Sequence, residues 1–468
     1  MAKKTAPPKK ISLPTQKDSP KIRNWAGIIY TIVSAIIIIC GTYIAIRWAN
    51  GDFRLDRSAD LVATETGLLH ATSTPKGAEV YIDGKLTSIT DNTIYLSPGT
   101  YEVEIKMDGY SSWKKNILIE KSLVSQTNAN LFPYSPSLSS LTFTGVSLPL
   151  PSPNGHKILF YLENSTAKNK NGLYVLDLQS GGRSPQQISD NDEVYNLATA
   201  SYVWSPDSSD ILVVTDKRTF LLPSNRFSNL QSSPDVELQL KTIFTSWEED
   251  LATREKLFSE KKIHPEILRT ILQNSVNAFL SPDNTKIFYT ATAAATIPTG
   301  LMPVLPAPNS QPQERTLAAN RMYVYDGYED KNYFLGETTA SSSAKTLLTA
   351  AWETKTNQTS SAPHKNWANL LTSLQAKTTQ QTLAQFNNYY GNALTRQWQW
   401  LPNSTHLVGI VANQVVIMNY DGSNPTVIYS GPFDKNFLQP NYDSNSVLIL
   451  TTFNPDSPPN LYAIELKR

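Results

Sequence analysis

Five histidines, His70, His156, His264, His364 and His406, are the residues best suited to metal or acid–base chemistry, and their spacing supports neither. None sits in a His-Glu-x-x-His helix, which would turn two imidazoles onto one face around a zinc ion. There is no Gly-x-Ser-x-Gly elbow to expose a nucleophilic serine, and no glycine loop to cradle phosphate. Ser259-Glu260-Lys261-Lys262 contains Ser-x-x-Lys but lies in a charged stretch without its companion motifs, and is read as coincidence. Asp190-Asn191-Asp192-Glu193 gathers hard oxygen ligands without the glycine and terminal glutamate of a calcium loop, so a solvated turn is expected. Asn164-Ser165-Thr166, Asn357-Gln358-Thr359 and Asn403-Ser404-Thr405 are formal glycosylation sequons, again taken as coincidental. Tyr389-Tyr390 and Trp398-Gln399-Trp400 admit two readings, rings that stack on glycan faces or a strand burying both tryptophans, and alternation favours the strand. The expectation is a protein without catalytic residues, metal or cofactor.

The feature that positions everything else is an apolar run from Trp25 to Ile46, uncharged and rich in Ile. At a rise of about 1.5 Å per residue such a helix crosses a hydrocarbon core of roughly 30 Å. Trp25, Ile29, Ile36, Ile39 and Ile46 are its candidate lipid contacts. Lys3, Lys4, Lys9, Lys10, Lys17, Lys21 and Arg23 precede it against one acid, Asp18, whereas Arg47, Arg54 and Arg57 behind it are matched by Asp52, Asp56 and Asp60. That asymmetry keeps the N-terminus cytoplasmic and places the bulk of the chain outside. A cleaved signal peptide is the weaker reading, because the run is long and Ile46-Arg47-Trp48 is a poor cleavage site. A lipoprotein is weaker still, since Ile39 precedes Cys40. Cys40 is the only cysteine and lies within the run, so the exterior portion has no disulfide and must rely on packed cores. The net charge of +1 argues against nucleic-acid binding.

Residues 1–24 combine lysines with Pro7, Pro8, Pro14 and Pro20 and read as a disordered tail, and 47–66 as a linker. From 67 to 133 the period changes to two. Val80 and Ile82 alternate with Tyr81 and Asp83, and Tyr101, Val103 and Ile105 with Glu102, Glu104 and Lys106. Asp83-Gly84, Pro98-Gly99 and Asp108-Gly109 supply turns, which together describe a small antiparallel sandwich. Thr74-Pro75-Lys76-Gly77-Ala78-Glu79-Val80-Tyr81-Ile82-Asp83-Gly84, with Leu96-Ser97-Pro98-Gly99-Thr100-Tyr101-Glu102-Val103 and Gly109-Tyr110 after it, resembles the PEGA domain family. Pro75, Gly77, Ala78, Asp83, Gly84, Pro98 and Gly99 carry the resemblance, with Lys76 where the family signature has Glu. The resemblance implies a β-sandwich spacer or interaction unit of bacterial or archaeal surface proteins, without catalysis.

From 137 to 468 a second pattern recurs: a Pro-Asp or Pro-Asn turn followed by an apolar strand. Its copies begin at Pro151-Ser152-Pro153-Asn154, Trp204-Ser205-Pro206-Asp207, Leu280-Ser281-Pro282-Asp283, Trp400-Leu401-Pro402-Asn403 and, more loosely, Pro440-Asn441-Tyr442-Asp443. Units of strand, turn and strand cannot cover both faces alone and must stack. Pro153, Pro206, Asp207, Pro282, Asp283 and Pro402 mark turns that resemble those of TolB and WD40-like propellers. At roughly 40–45 residues per blade, the sequence outside the insertions makes five or six blades, with a short strand near Leu141–Phe143 as the guess for ring closure. Insertions are expected near 225–275, 291–320 and 341–393. The first contains a helix begun by Ser246-Trp247-Glu248-Glu249, a capping box with Ser246 as N-cap, and a second helix from Pro265; the third contains a helix between Lys365 and Tyr390. Residues 296–318 are a proline-rich loop.

The resulting expectation is a mainly β chain: a transmembrane helix, a PEGA-type sandwich and an irregular propeller with helical insertions. It resembles a bacterial single-pass surface protein that binds or scaffolds without catalysis. Its expected partners are the membrane and a cell-wall polymer or another envelope protein. The rivals are an envelope hydrolase or lyase and a sensor acting through a partner.

Overall fold

The computed structural model describes residues 25–49, 53–55, 61–63 and 66–467, apart from 164–166, 168–169, 180–183, 193, 241, 245, 248–249, 251–262, 304, 306–308 and 339–397. The expected tail at 1–24, the sequons at Asn164 and Asn357, the Ser259–Lys262 segment, the Lys365–Tyr390 helix and Tyr389-Tyr390 lie outside the described residues.

Trp25–Ala49 is one α-helix, long and apolar enough between Ile29 and Arg47 to cross a membrane. Ile29, Ile36, Ile39 and Ile46 are all more than half exposed, since none of the described residues covers them. A helix satisfies its own backbone groups, the condition for an apolar segment to sit in hydrocarbon. Within the expected linker, Phe53–Leu55 pairs antiparallel with Leu61–Ala63.

The sandwich follows from the period-two pattern. One sheet places Lys85–Ile89, Glu79–Ile82, Gly99–Lys106 and Trp113–Ile119 side by side, all antiparallel. The other places Gly67–Ala71 between Val124–Gln126, which is parallel to it, and the antiparallel Asn92–Leu96. Inward residues Val80, Val103, Ile105, Trp113 and Ile119 meet Leu69 and Ala71 in one core. Asp83 and Gly84 both take positive φ, 48° and 77°, the pair a type I′ hairpin requires. Gly77 likewise sits at φ 80°, so the Pro and Gly of the motif shape turns while Ala78 beside them is fully buried.

Among the described residues five antiparallel blade sheets make up the rest, with one two-stranded pair, Ala295–Thr296 and Thr316–Leu317, at the base of the segment expected as a proline-rich loop. Blade 1 runs Ser147–Pro151, Lys157–Leu162, Gly172–Asp177, Gln186–Asp190. Blade 2 has three strands, Ser201–Trp204, Asp210–Val214 and Thr219–Pro223. Blade 3 runs Ser275–Leu280, Lys286–Ala291, Arg321–Asp326, Lys331–Glu337, and blade 4 runs Trp398–Trp400, His406–Val411, Gln414–Asn419, Thr426–Tyr429. Blade 5 joins Leu438–Pro440, Ser446–Thr451 and Asn460–Glu465 to a strand from the far end of the propeller sequence, Leu138–Ser140. Closure therefore uses residues three positions before the expected Leu141–Phe143. The Thr142 hydroxyl takes the Leu461 N–H and so ends the ladder, and Phe143 is 81% exposed.

Blade stacking explains why the second strands are apolar throughout instead of alternating. Ile158 and Phe160 face blade 5 while Leu159 and Tyr161 face blade 2, so both sides of one strand are covered. Blades 3 and 4 share Phe288, Val324, Trp398, Trp400 and Leu407, and blades 4 and 5 share Val408, Ile417, Val447 and Ile449. Between blades 2 and 3 the helical insertion takes over. Its Phe244 and Trp247 cover Val203 and Leu212 of blade 2, and its helix Pro265–Gln273 lays Ile267, Ile271 and Leu272 on Ile287 and Tyr289 of blade 3.

The Pro-Asp turns are built alike and linked to one another. Ser205 Oγ donates to Asp207 Oδ1, which accepts the Ser209 N–H; Ser281, Asp283 and Thr285 repeat the arrangement. Burial raises the pKa of both aspartates, but these hydrogen bonds outweigh it and hold them below the usual carboxylate value. The fifth turn residue is left-handed each time: Gly155, Ser208, Asn284, Ser404 and Ser444 have φ of 72°, 66°, 56°, 59° and 59°. Where it is serine, its hydroxyl accepts a backbone N–H from the preceding blade: Asn154 to Ser208, Asp283 to Ser404, Asn403 to Ser444. Ser404→Ala strands the Asp283 N–H and keeps the left-handed strain, with an expected cost of about 1–2 kcal/mol. Ser404→Gly relieves the strain and should be the milder variant. Urea unfolding midpoints of the two full-length variants give the comparison.

Candidate interdomain binding cleft

The chemistry-bearing residues are dispersed. His70 Nδ1 lies 3.1 Å from Thr93 Oγ1, His156 stacks edge-on with Tyr442, and His264 caps its helix by accepting the Glu266 N–H. His364 lies outside the described residues. Asp192 accepts the Val194 N–H, as in an ordinary turn. Among the described residues no group of three or more His, Cys, Asp or Glu converges as a metal site would. Trp398 and Trp400 are 5% and 7% exposed in the core between blades 3 and 4, which removes them as a stacking platform.

What the fold does bring together is the sandwich and the propeller. Trp113–Ile119, the last strand of the four-stranded sheet, is the edge of that sheet and would present unpaired backbone groups. Propeller side chains pair with them instead. Lys114 N–H donates to Asn424 Oδ1 at 2.8 Å, and Leu118 N–H to Ser310 Oγ at 3.1 Å. Asn116 O accepts from Ser310 Oγ and Gln311 Nε2 at 2.7 and 2.9 Å. From the same strand Lys115 reaches Asp421 of the blade 4 turn, Nζ to Oδ2 at 2.5 Å, with the two side chains 12% and 0% exposed. Asp421 also accepts from Asn309 and Ser423. Burial pushes its pKa up, and the Lys115 charge with these hydrogen bonds more than reverses that, leaving it below the usual value. Phe132, at the end of the sandwich, enters the core of blades 4 and 5 and meets His406 edge-on at 5.3 Å.

Beside this joint lies a cleft of about 420 Å³, walled by the sandwich on one side and by blades 3 and 4 on the other. Lys286 is at its floor, 92% buried by its 8% exposure, and lies 4.8 Å from the centre of the Tyr420 ring. Its ammonium donates to Thr285 Oγ1 at 3.1 Å, while Asp326 and Asp283 stand off at 3.7 and 3.9 Å. Glu329 accepts from the Asn309 N–H and the Tyr333 hydroxyl, and burial followed by the Asp326 charge raises its pKa. Asp326 Oδ1 accepts the Tyr328 and Glu329 N–H groups. The Pro-Asp turn of blade 3 thus contributes Asp283 to the cleft; Lys286, His406 and Asp326 lie in the repeating turns and strands without marking a site, and Glu329 lies in none. Their signal was positional only: each adjoins a turn at one end of a blade strand.

His406 is 2% exposed and pushed down to about 4, first by burial and then by the Lys115 charge. Its unfolded value is about 6.5, so between the two the unfolded chain carries the extra proton. The stability that the neutral ring contributes is fully present above pH 6.5 and is lost as pH falls toward 4, by about 3 kcal/mol. The melting temperature of the full chain should fall over that window, and His406→Gln should flatten the fall.

Residues 66–133 match the PEGA domain family. No curated protein matches the sequence. Among solved structures, a putative TolB from Agrobacterium tumefaciens is similar at 11% identity, with 68% of this chain and 73% of that one covered and a TM-score of 0.19. TolB from Acinetobacter baumannii gives 10% identity, 78% and 60% coverage and a TM-score of 0.18, so this chain spans less than two thirds of it. An oligogalacturonate lyase from Vibrio parahaemolyticus gives 9% identity, 83% and 97% coverage and a TM-score of 0.23. The propeller assignment rests on the five sheets and their interlocked faces. The chain is an apolar helix, a PEGA domain at 66–133 and a β-propeller docked to it.

Proposed function

We propose that this protein is an uncleaved single-pass membrane protein whose PEGA domain and propeller stand outside the cell as one non-enzymatic binding platform. The observation that carries the reading is the joint. A buried Lys115–Asp421 pair and a capped edge strand fix two domains around a polar cleft, which is how a receptor surface is kept in one shape. The cleft's charged groups are tied into its own architecture, which supports a preformed binding surface: the Glu329 oxygens accept from Asn309 and Tyr333, and Asp326 Oδ1 holds the turn at Tyr328 and Glu329. The orientation follows from seven basic side chains before the helix and balanced charge behind it. Partners at the envelope, a wall polymer or another envelope protein, belong to this reading.

Protease accessibility tests it in cells carrying the full chain with a different epitope at each end. Protease added outside should remove the C-terminal epitope and spare the N-terminal one. Loss of the N-terminal epitope alone contradicts the orientation, and a shortened secreted product contradicts the anchor. Replacing Lys3, Lys4, Lys9, Lys10, Lys17, Lys21 and Arg23 with Gln should raise the inverted fraction severalfold.

A further inference from the structure

We propose that the cleft between the PEGA domain and the propeller binds a neutral, polyhydroxylated ligand, an oligosaccharide segment; this rests on the binding-platform reading and deepens it. Charge narrows the choice. Asp283, Asp326 and Glu329 stand around the floor, so an anion would approach three carboxylates with Lys286 to meet it and a Lys115 already paired with Asp421. A cation fares no better. Each of those carboxylates already accepts hydrogen bonds from its own turn or neighbours, and the Lys286 ammonium sits among them. A purely apolar ligand would leave the amides and hydroxyls of the mixed wall unmet: Asn116, Gln126, Thr127 and Asn128 from the sandwich face Thr285 and Thr405 from the propeller.

A neutral ligand that both donates and accepts matches what remains. An ammonium carries three donors, and among the described residues Lys286, at 8% exposure, makes one hydrogen bond, to Thr285, with Asp326 and Asp283 standing off at 3.7 and 3.9 Å. Donors left over on a buried ammonium are costly unless something meets them. Sugar hydroxyls can accept from it. Tyr328, 58% exposed on the cleft wall, offers a ring face to the C–H side of a pyranose. The volume of about 420 Å³ lies within the usual span of small-ligand pockets, about 300–1,000 Å³.

The test is calorimetry on the full-length protein in detergent, titrated separately with chitotetraose, maltotetraose and, as the charged control, tetralysine. At least one neutral tetrasaccharide should bind, and Tyr328→Ala and Gln126→Ala should each weaken it tenfold or more with melting temperature unchanged. Lys286→Met should abolish binding, and circular dichroism shows whether that variant has kept its fold. Tetralysine binding with no sugar binding, or sugar binding unmoved by Tyr328→Ala and Gln126→Ala together, overturns the proposal. Crosslinking from native envelope separates the two readings. A specific protein adduct without sugar binding overturns the oligosaccharide alone, whereas neither adduct nor binding overturns the platform as well.

Discussion

The Lys115–Asp421 pair is where the architecture of this protein is decided. Burying two charges costs several kcal/mol per ion unless geometry and further hydrogen bonds compensate. Here they do: Asp421 is also held by Asn309 and Ser423, and Lys115 lies over the Trp113 ring. Apolar packing is tolerant of small slips, but a buried ion pair is not. Removing either partner strands the other, at about 3–5 kcal/mol. The pair therefore fixes the register in which the sandwich edge meets the propeller, and the cleft inherits its shape from that register.

The propeller supplies the rigid half of the joint by a different device. Its blades interlock through strands apolar on both faces, and the turn serines tie blade to blade at one end. The sandwich docks on that same end, where Asp283, Thr405 and Asp421 lie. The insertion packs on the ring itself, Phe244 and Trp247 against blade 2 and Ile267 and Ile271 against blade 3. The apolar helix Trp25–Ala49, with its isoleucines facing outward, is a separate element at the other end of the sequence order.

Much of this was legible in the residues, for local reasons. Period-two alternation and Asp83-Gly84 describe a sandwich hairpin because side-chain direction and positive φ are local properties. The Pro-Asp turns were legible for the same reason, although their linkage through Ser208, Ser404 and Ser444 was not, since it depends on which turn lies beside which. Trp398-Gln399-Trp400 read correctly as core from its alternation. The closing strand was misplaced by three residues because Leu138–Ser140 owes its pairing to Asn460–Glu465, more than three hundred positions away. The cleft was not legible at all. Lys115 looks like any outward lysine on a half-buried strand, and Asp421 like any turn aspartate, until the two domains meet.

The most direct measurement of that meeting is a distance between the domains. With Cys40 replaced by Ala, nitroxides at Leu86 in the sandwich and Phe143 in the propeller, both exposed, report it by pulsed electron resonance on the full chain. A single narrow distribution that broadens in Lys115→Met is the expected result. A broad distribution in the parent protein, or a narrow one indifferent to Lys115→Met, would contradict the joint and the cleft built on it.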